Sequence, residues 1–390
     1  MTRAPVYLDN AATTQLRPEV REAMLPYLGE AFGNPSSAHR FGRAARAGIE
    51  QARRQVAVAL GAEPAQVVFT SGGTEADNLA VVGAALAARM HGRPFRVAVS
   101  AVEHKAVLAA AHFVAALGGA EELMPVSPDG VVRLDALDTA LAGRPSVVSV
   151  MWVNNETGTV QPAAEIGRRC RAAGIRFHTD AVQAFGQLPI RFDRLEADLL
   201  TISAHKIGGP KGIGALLVRE PAVVEPLIRG GSQQGGVRPG TENAAGIAGF
   251  GRAAELAARE QPEHACRLAG LRQQLRDSLQ AAVPDISIPG EGADTVPHIL
   301  TVCVPGVDSE SLLMHLDLAG IAAGSGSACA TGTVEPSHVL AAMGMPRELA
   351  IGAVRFSLGR ETTDADVARA AVVFPEVVAK VRSLATVLGR

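Results

Sequence analysis

A chain of 390 residues, 47% hydrophobic and 19% charged, has apolar content enough for more than one core, which excludes disorder and points to two domains. Its formal net charge of −2 gives no electrostatic basis for nucleic acid or an anionic membrane as a main partner. Four cysteines without a Cys-x-x-Cys pair make neither a disulfide framework nor a zinc site, so reduced thiols are expected.

The chain enters Val6-Tyr-Leu-Asp-Asn-Ala-Ala-Thr-Thr14 with no charged-then-apolar leader, and no apolar run reaches transmembrane length. A soluble, cytoplasmic protein is the expectation. Pro18–Leu28 reads as a short helix. Asn34-Pro-Ser-Ser37 supplies a turn and cap for an amphipathic helix to about Leu60. From Val67 strands and helices alternate. Val67–Thr70 is a strand, the bend Ser71-Gly-Gly-Thr74 follows, and an alanine-rich helix runs from Glu75 to about Met90. Phe95–Ser100 is a strand and Lys105–Leu117 a helix. Ser146–Trp152 opens into Asn154-Asn-Glu-Thr-Gly158; the helix Ala163–Ala173 leads to the strand Ile175–Asp180. This alternation predicts a mostly parallel, helix-covered sheet, with ligands at the carboxyl ends of its strands. Thr74, His104, Asn155, Asp180 and Lys206 all follow predicted strands and are expected to share one rim.

After Thr241-Glu-Asn the pattern changes. A helix from Ala244 to about Glu260 is expected to restart at Pro262 and continue to about Ala282. Short strands at Ile286–Ile288 and Ile299–Val304 follow, then a helix from Asp308, a strand at Ala353–Leu358 and a last helix near Thr363. The reading is an α/β chain with a large domain over 15–255. A smaller α+β domain is assembled from 1–14 and 256–390.

One lysine stands out. Lys206 sits just past the buried-strand run Asp198–Ser203 and before a glycine-rich bend leading into Ile213–Val218. A charged ammonium there is costly to desolvate, whereas a neutral amine that forms a Schiff base with a carbonyl is not. The chain has four lysines against thirty-three arginines. Lys380 reads as a solvated helix face, while position alone does not dismiss Lys105 and Lys211.

Other candidates carry two readings each. The bend Ser71-Gly-Gly-Thr74 suits a phosphate at a helix N-terminus, with Ser203 and His205 as further donors, or is an ordinary helix start with Thr74 as N-cap. It lacks the Gly-Lys-[Ser/Thr] of a nucleotide-binding P-loop. Asp180 suits a protonated pyridine nitrogen or a helix cap. His104 suits stacking on a flat cofactor and proton exchange, or is a single histidine with no such role. The spacing of His39, His112, His178, His264, His298, His315 and His338 suggests no metal site and assigns them no role. Arg355 offers a planar fork for a carboxylate or a structural ion pair. Cys170 and Cys303 read as buried and inert, and Cys266 lies in a polar helical stretch. Cys329 lies in Gly324-Ser-Gly-Ser-Ala-Cys-Ala-Thr-Gly332, where small residues on both sides favour an exposed, swinging nucleophile.

These motifs resemble the cysteine desulfurases of NifS/IscS type, class V of the pyridoxal-phosphate aminotransferase-like fold. The resemblance runs from Tyr7-Leu-Asp-Asn-Ala-Ala-Thr-Thr14 to Val354-Arg-Phe-Ser-Leu-Gly-Arg-Glu-Thr-Thr363. Ser203-Ala-His-Lys206 with Gly209-Pro-Lys-Gly212 is specific to the class. Ser325-Gly-Ser-Ala-Cys329, continuing to Glu335-Pro-Ser-His338, is specific to the members with a long active-site loop. The resemblance implies the fold type I of pyridoxal-phosphate enzymes, with pyridoxal 5'-phosphate carried by Lys206. It implies phosphate ligands Thr74, Ser203 and His205, joined by Thr241 from the other subunit of a homodimer. Asp180 would hold the pyridine nitrogen and Gln183 the phenolic oxygen, with His104 stacked on the ring. Asn155 and Arg355 would bind the carboxylate of L-cysteine. Cys329 would take its sulfur as a persulfide, for delivery to an acceptor protein such as an iron–sulfur scaffold.

Two departures are visible. Gln234 and Pro239 in Gly230-Gly-Ser-Gln-Gln-Gly-Gly-Val-Arg-Pro-Gly-Thr241 stand where Glu and Ser are usual in the family, and the chain stops soon after its last helix. A selenocysteine lyase or class V aminotransferase on the same fold is the alternative enzyme, and a sulfur-carrier or assembly module that has lost catalysis is the non-enzyme alternative. An aminotransferase does not need a loop thiol, and a carrier does not need the cofactor's colour.

Overall fold

The computed structural model describes residues 4–220, 223–326 and 335–387. Its strands in chain order are β1 Val6–Tyr7, β2 Val67–Thr70, β3 Arg96–Ser100, β4 Ala120–Met124, β5 Val147–Ser149 and β6 Arg176–Asp180. They continue as β7 Leu199–Ser203, β8 Gly214–Val218, β9 Ile299–Cys303, β10 Ile321–Ala322 and β11 Ala353–Ser357. Seven of them form one sheet in the order β2-β8-β7-β6-β5-β3-β4. Only β8 runs against the others in this sheet. This is the mostly parallel sheet that the alternating pattern predicts.

Burial explains why the central strands read as unbroken apolar runs. Every residue of β7 and β8 is buried, because helices cover both faces. One apolar core takes Phe69, Phe177, Leu200, Ile202 and Leu217 against the helix Arg40–Leu60 and the first half of the long helix Ala244–Ala282. The opposite face packs Val97, Val99, Leu199 and Leu216 on the helical segment after β2. A third core is separate from both. It joins β1, β9, β10 and β11 to Leu268, Leu271, Leu275 and Leu279 of the long helix and to Val367–Val381 of the helix Asp364–Val387.

Several boundaries differ from expectation for identifiable reasons. Pro262 does not restart the helix; Ala244–Ala282 is continuous through it. Proline removes one backbone donor, and the packed halves on either side hold the helix together. The segment Asn34–Ser37 supplies the expected turn, Asn34 Oδ1 accepting from Ser36 N, but the cap of the helix Arg40–Leu60 is His39, which accepts from Gly42 N. Residues 286–288 form a single bridge, Ser287 to Cys303, and no strand. Strand β4 and the helix Leu134–Ala142 were not anticipated: β4 is an edge strand with two glutamates and a half-exposed pattern.

The third core brings the N-terminal segment to the sheet rim. Ala11 N donates to Ser357 Oγ, and single bridges pair Asp9 with Ser357 and Gly324 with Arg355. The segment 9–14 therefore crosses from the small core over the carboxyl ends of β6 and β7. No helix among the described residues is long and apolar enough to cross a membrane.

Candidate active site

The carboxyl end of β7 leads directly into a single 3-10 turn, Ala204–Lys206. Gly214 at the start of β8 has no room for a Cβ, which would lie 2.7 Å from the backbone of Gly72. The glycine bend after β2 can thus press against the β7–β8 turn. Lys206 Nζ donates to Ala11 O (2.5 Å) and Ala12 O (2.8 Å). Burial, with Arg355 adding repulsion, pulls this amine down to about 8, against partial opposition from Asp180 and Asp9. An amine with that pKa has an accessible neutral form, which a Schiff base requires.

Lys206 opens into a cavity of about 420 Å³ that is also lined by Thr74, His104, Asn155, Asp180, Gln183, Ser203, His205 and Arg355. These nine expected residues come together at one rim. Thr241 does not line this cavity within the chain. Cys329 lies outside the described residues.

Asp180 ends β6 and is buried. Its Oδ1 accepts from Val182 N at 2.8 Å, so it caps the following turn and lines the cavity at once. Burial raises its pKa, opposed by His104 and Lys206. His104 is the N-cap of the helix Lys105–Ala116, its Nδ1 accepting from Ala106 N. Burial lowers its pKa, which makes it a neutral ring near pH 7. Gln183 Nε2 donates to Ala11 O at 2.9 Å, the carbonyl that Lys206 also uses.

At the other end of the cavity Gly72, not Thr74, is the N-cap, with no side-chain cap bond. Thr74 stands in the first turn, exposed, with its hydroxyl uncommitted to capping. Ser203 Oγ is buried and has no partner. His205 Nδ1 meets Thr13 Oγ1 at 3.1 Å, and burial with Lys206 and Lys211 lowers its pKa to about 4. An orphaned hydroxyl beside a helix start suits a phosphate.

Arg355 makes the structural ion pair that was one of its two readings, and it also lines the cavity. Nη2 is paired with Asp9 Oδ1 and Nη1 donates to Asn155 O, each at 2.8 Å, while Nε is buried without a partner. Asn155 is presented by a turn that Asn154 closes, its Oδ1 accepting from the backbone N of Glu156 and Thr157.

These residues fit pyridoxal phosphate. A neutralisable amine, a buried carboxyl and an unpartnered hydroxyl near a helix start match the aldehyde, the pyridine nitrogen and the phosphate of that cofactor. The chain belongs to the aminotransferase class-V family, whose description matches residues 6–370. Its cofactor is pyridoxal 5'-phosphate. The chain is 48% identical to a cysteine desulfurase of Cereibacter sphaeroides over 381 residues, 97% of each chain. It is 45% identical to the cysteine desulfurase IscS of Dictyoglomus turgidum, covering 97% of this chain and 96% of that one. Among solved structures it superposes on a NifS-like protein with a TM-score of 0.87 at 34% identity, covering 98% of this chain and 99% of that one.

The structure adds residues that the sequence reading passed over. Glu103 is fully buried; its Oε1 accepts from Ser100 Oγ (2.6 Å) and Met151 N (2.7 Å), and this pins the turn that carries His104. His178 lies inside the sheet between Ser149 Oγ (2.8 Å) and Thr201 Oγ1 (3.0 Å), with Asp77 Oδ1 at 3.8 Å. Burial lowers its pKa to about 3. The one sequence signal for His178 was its place in a predicted interior strand, Arg176-Phe-His-Thr-Asp180, where polar side chains need partners.

Proposed function

We propose that this chain is a cysteine desulfurase that converts L-cysteine to L-alanine and passes the sulfur to Cys329 as a persulfide. The observation that carries the reading is the cavity in which Lys206, with its lowered pKa, faces Asp180 and Arg355. The functional names of the full-length relatives support it.

In this reading Thr74, Ser203 and His205 hold the phosphate, together with Thr241 of the partner subunit in a homodimer. Asp180 holds the pyridine nitrogen, Gln183 the phenolic oxygen, His104 stacks on the ring and Lys206 carries the cofactor. Bound there, pyridoxal phosphate supplies an electron sink for charge left on the substrate's α-carbon. Arg355 and Asn155 hold the substrate carboxylate. Lys206 takes the α-proton and returns it; a pKa of about 8 lets it do both near neutral pH. The Cys329 thiolate attacks the substrate sulfur. An S–S bond forms, the Cβ–S bond breaks with its electrons left on carbon, and that carbon takes up a proton to give alanine. The persulfide then passes to an acceptor protein in the cytoplasm, an iron–sulfur scaffold being one candidate.

We read 15–255 as the cofactor domain and 1–14 with 256–390 as the small domain. The separate apolar core around β1, β9, β10 and β11 supports that division.

The test is to incubate the protein with L-cysteine, quantify alanine, and examine the peptide carrying Cys329 by mass spectrometry for one added sulfur. Cys329→Ala keeps the cofactor's visible absorbance and loses the persulfide. Amino transfer to a keto acid that survives Cys329→Ala would replace this reading with an aminotransferase. Turnover of selenocysteine alone would replace it with a lyase.

A further inference from the structure

His298 follows Pro297 at the start of β9, and its backbone oxygen accepts from Leu358 N at 2.8 Å, which fixes the residue between β9 and β11. The imidazole is 4% exposed. Its Nε2 lies 3.4 Å from Gln183 Oε1. Its Nδ1 is buried and has no partner. Beyond it lies a second cavity of about 510 Å³, behind Lys206, which the side chains of Gln183 and His298 both reach.

The donor inventory leaves one consistent assignment. Ala11 O only accepts, so the Gln183 atom 2.9 Å away is its NH₂ group. Gln183 therefore turns its carbonyl oxygen toward His298, and an oxygen there needs a donor. His298 must carry its proton on Nε2 and leave Nδ1 bare, in agreement with the absence of any acceptor beside Nδ1. Burial lowers the ring's pKa to about 3, with His264, Arg355, Lys206 and Arg272 adding repulsion, so the imidazole is neutral. One hydrogen of the Gln183 amide goes to Ala11 O. The other is the donor this side chain has left for the cavity that contains Lys206 and Asp180.

We propose that His298 is a positioning residue: its Nε2–H holds the Gln183 amide in the one orientation that presents a donor, rather than an acceptor, to an anionic oxygen of the bound cofactor. Ala11 O favours the same orientation, but without the His298 hydrogen bond the amide is held at its NH₂ group alone and can more readily swing its remaining donor away from the cofactor's oxygen. The effect on the cofactor rests on the function proposed above; the tautomer and the amide orientation do not.

Two measurements test it on the full-length protein. Histidine ¹⁵N labelling with long-range proton correlation reads the tautomer of His298, assigned by its loss in His298→Asn. The expected result is a protonated Nε2 and a bare Nδ1, and a protonated Nδ1 would overturn the proposal. This result is obtained whether or not the chain turns over L-cysteine. In the second, the ratio of the cofactor's long-wavelength absorbance bands is compared at one pH for wild type, His298→Asn and His298→Leu. Asparagine can donate to the same oxygen and should keep the wild-type ratio. Leucine should change the ratio and lower kcat about tenfold with KM nearly constant, the scale of one hydrogen bond to a charged group. A leucine variant with an unchanged spectrum would sink the idea. If that variant does not fold, the tautomer decides.

Discussion

Arg355 Nη2 and Asp9 Oδ1 lie 2.8 Å apart in a pair whose arginine side chain is only 6% exposed. The pair joins the last strand of the small core to the N-terminal segment that crosses the cavity. With Nη1 on Asn155 O as well, the guanidinium plane is set before any substrate arrives. A preset fork loses little freedom when a carboxylate binds. Asp9→Asn weakens that constraint and should raise KM for L-cysteine about tenfold, the scale of one charged hydrogen bond. Cofactor absorbance should be retained and the unfolding midpoint should fall. An unchanged KM would show that Asp9 does not orient Arg355.

Gln234 replaces the glutamate usual in the family, and its surroundings explain the exchange. Its Oε1 accepts from Phe69 N (2.9 Å) and Arg53 Nη1 (3.0 Å), while its Nε2 donates to Glu242. A carboxylate can do the first job but not the second, and it would face Glu242 with like charge. Gln234→Glu should cost about 1–3 kcal/mol of stability by the loss of that donor. Denaturant unfolding at neutral pH measures it, and a stabilised variant would count against this account. Arg238, from the same segment, pairs with Glu75 in the first turn after the glycine bend. Loosening the segment should therefore also weaken cofactor retention.

Glu103 supplies a pH test. Burial raises its carboxyl to about 8, and the bonds from Ser100 and Met151 only partly oppose this. Unfolded, the group titrates near ~4.3. Between those values the folded chain binds one more proton than the unfolded chain, so this group's stabilising contribution is lost as pH rises. The slope is at most ~1.4 kcal/mol per pH unit. Glu103→Gln keeps an oxygen for both donors and removes the titration. Its stability relative to wild type should rise from pH 5 to pH 8 and then level off. A pH-independent difference in urea unfolding would show that Glu103 is ionised when folded.

Lys206, Asp180 and the glycine bend were legible in the sequence because each stands at or just past the carboxyl end of a predicted strand, where the pattern changes. What holds them was not. Asp9 reaches Arg355, and His298 reaches Gln183, across 346 and 115 residues of chain. No local periodicity encodes a contact of that kind. The continuous helix through Pro262 shows the same limit: local propensity predicts a break, and packing on both sides overrides it.

Ser203 gives a prediction of opposite signs in one substitution. Its hydroxyl is buried at the end of β7 and finds no partner among the described residues. A buried hydroxyl without a hydrogen bond costs about 1–3 kcal/mol, and replacing it with a methyl group's hydrogen removes that cost. Ser203→Ala should therefore make the cofactor-free protein more stable, by roughly 1 kcal/mol. If the hydroxyl is retained for a phosphate oxygen, the same change should weaken pyridoxal phosphate binding about tenfold, because a bond to a charged oxygen is lost. Thermal unfolding of stripped protein and a fluorescence titration with the cofactor read the two effects separately. A general packing role would lower both. A hydroxyl satisfied by water alone would leave affinity unchanged. Only a group held ready for an anion moves the two in opposite directions, and that pattern ties the orphaned hydroxyl to the phosphate end of the cavity.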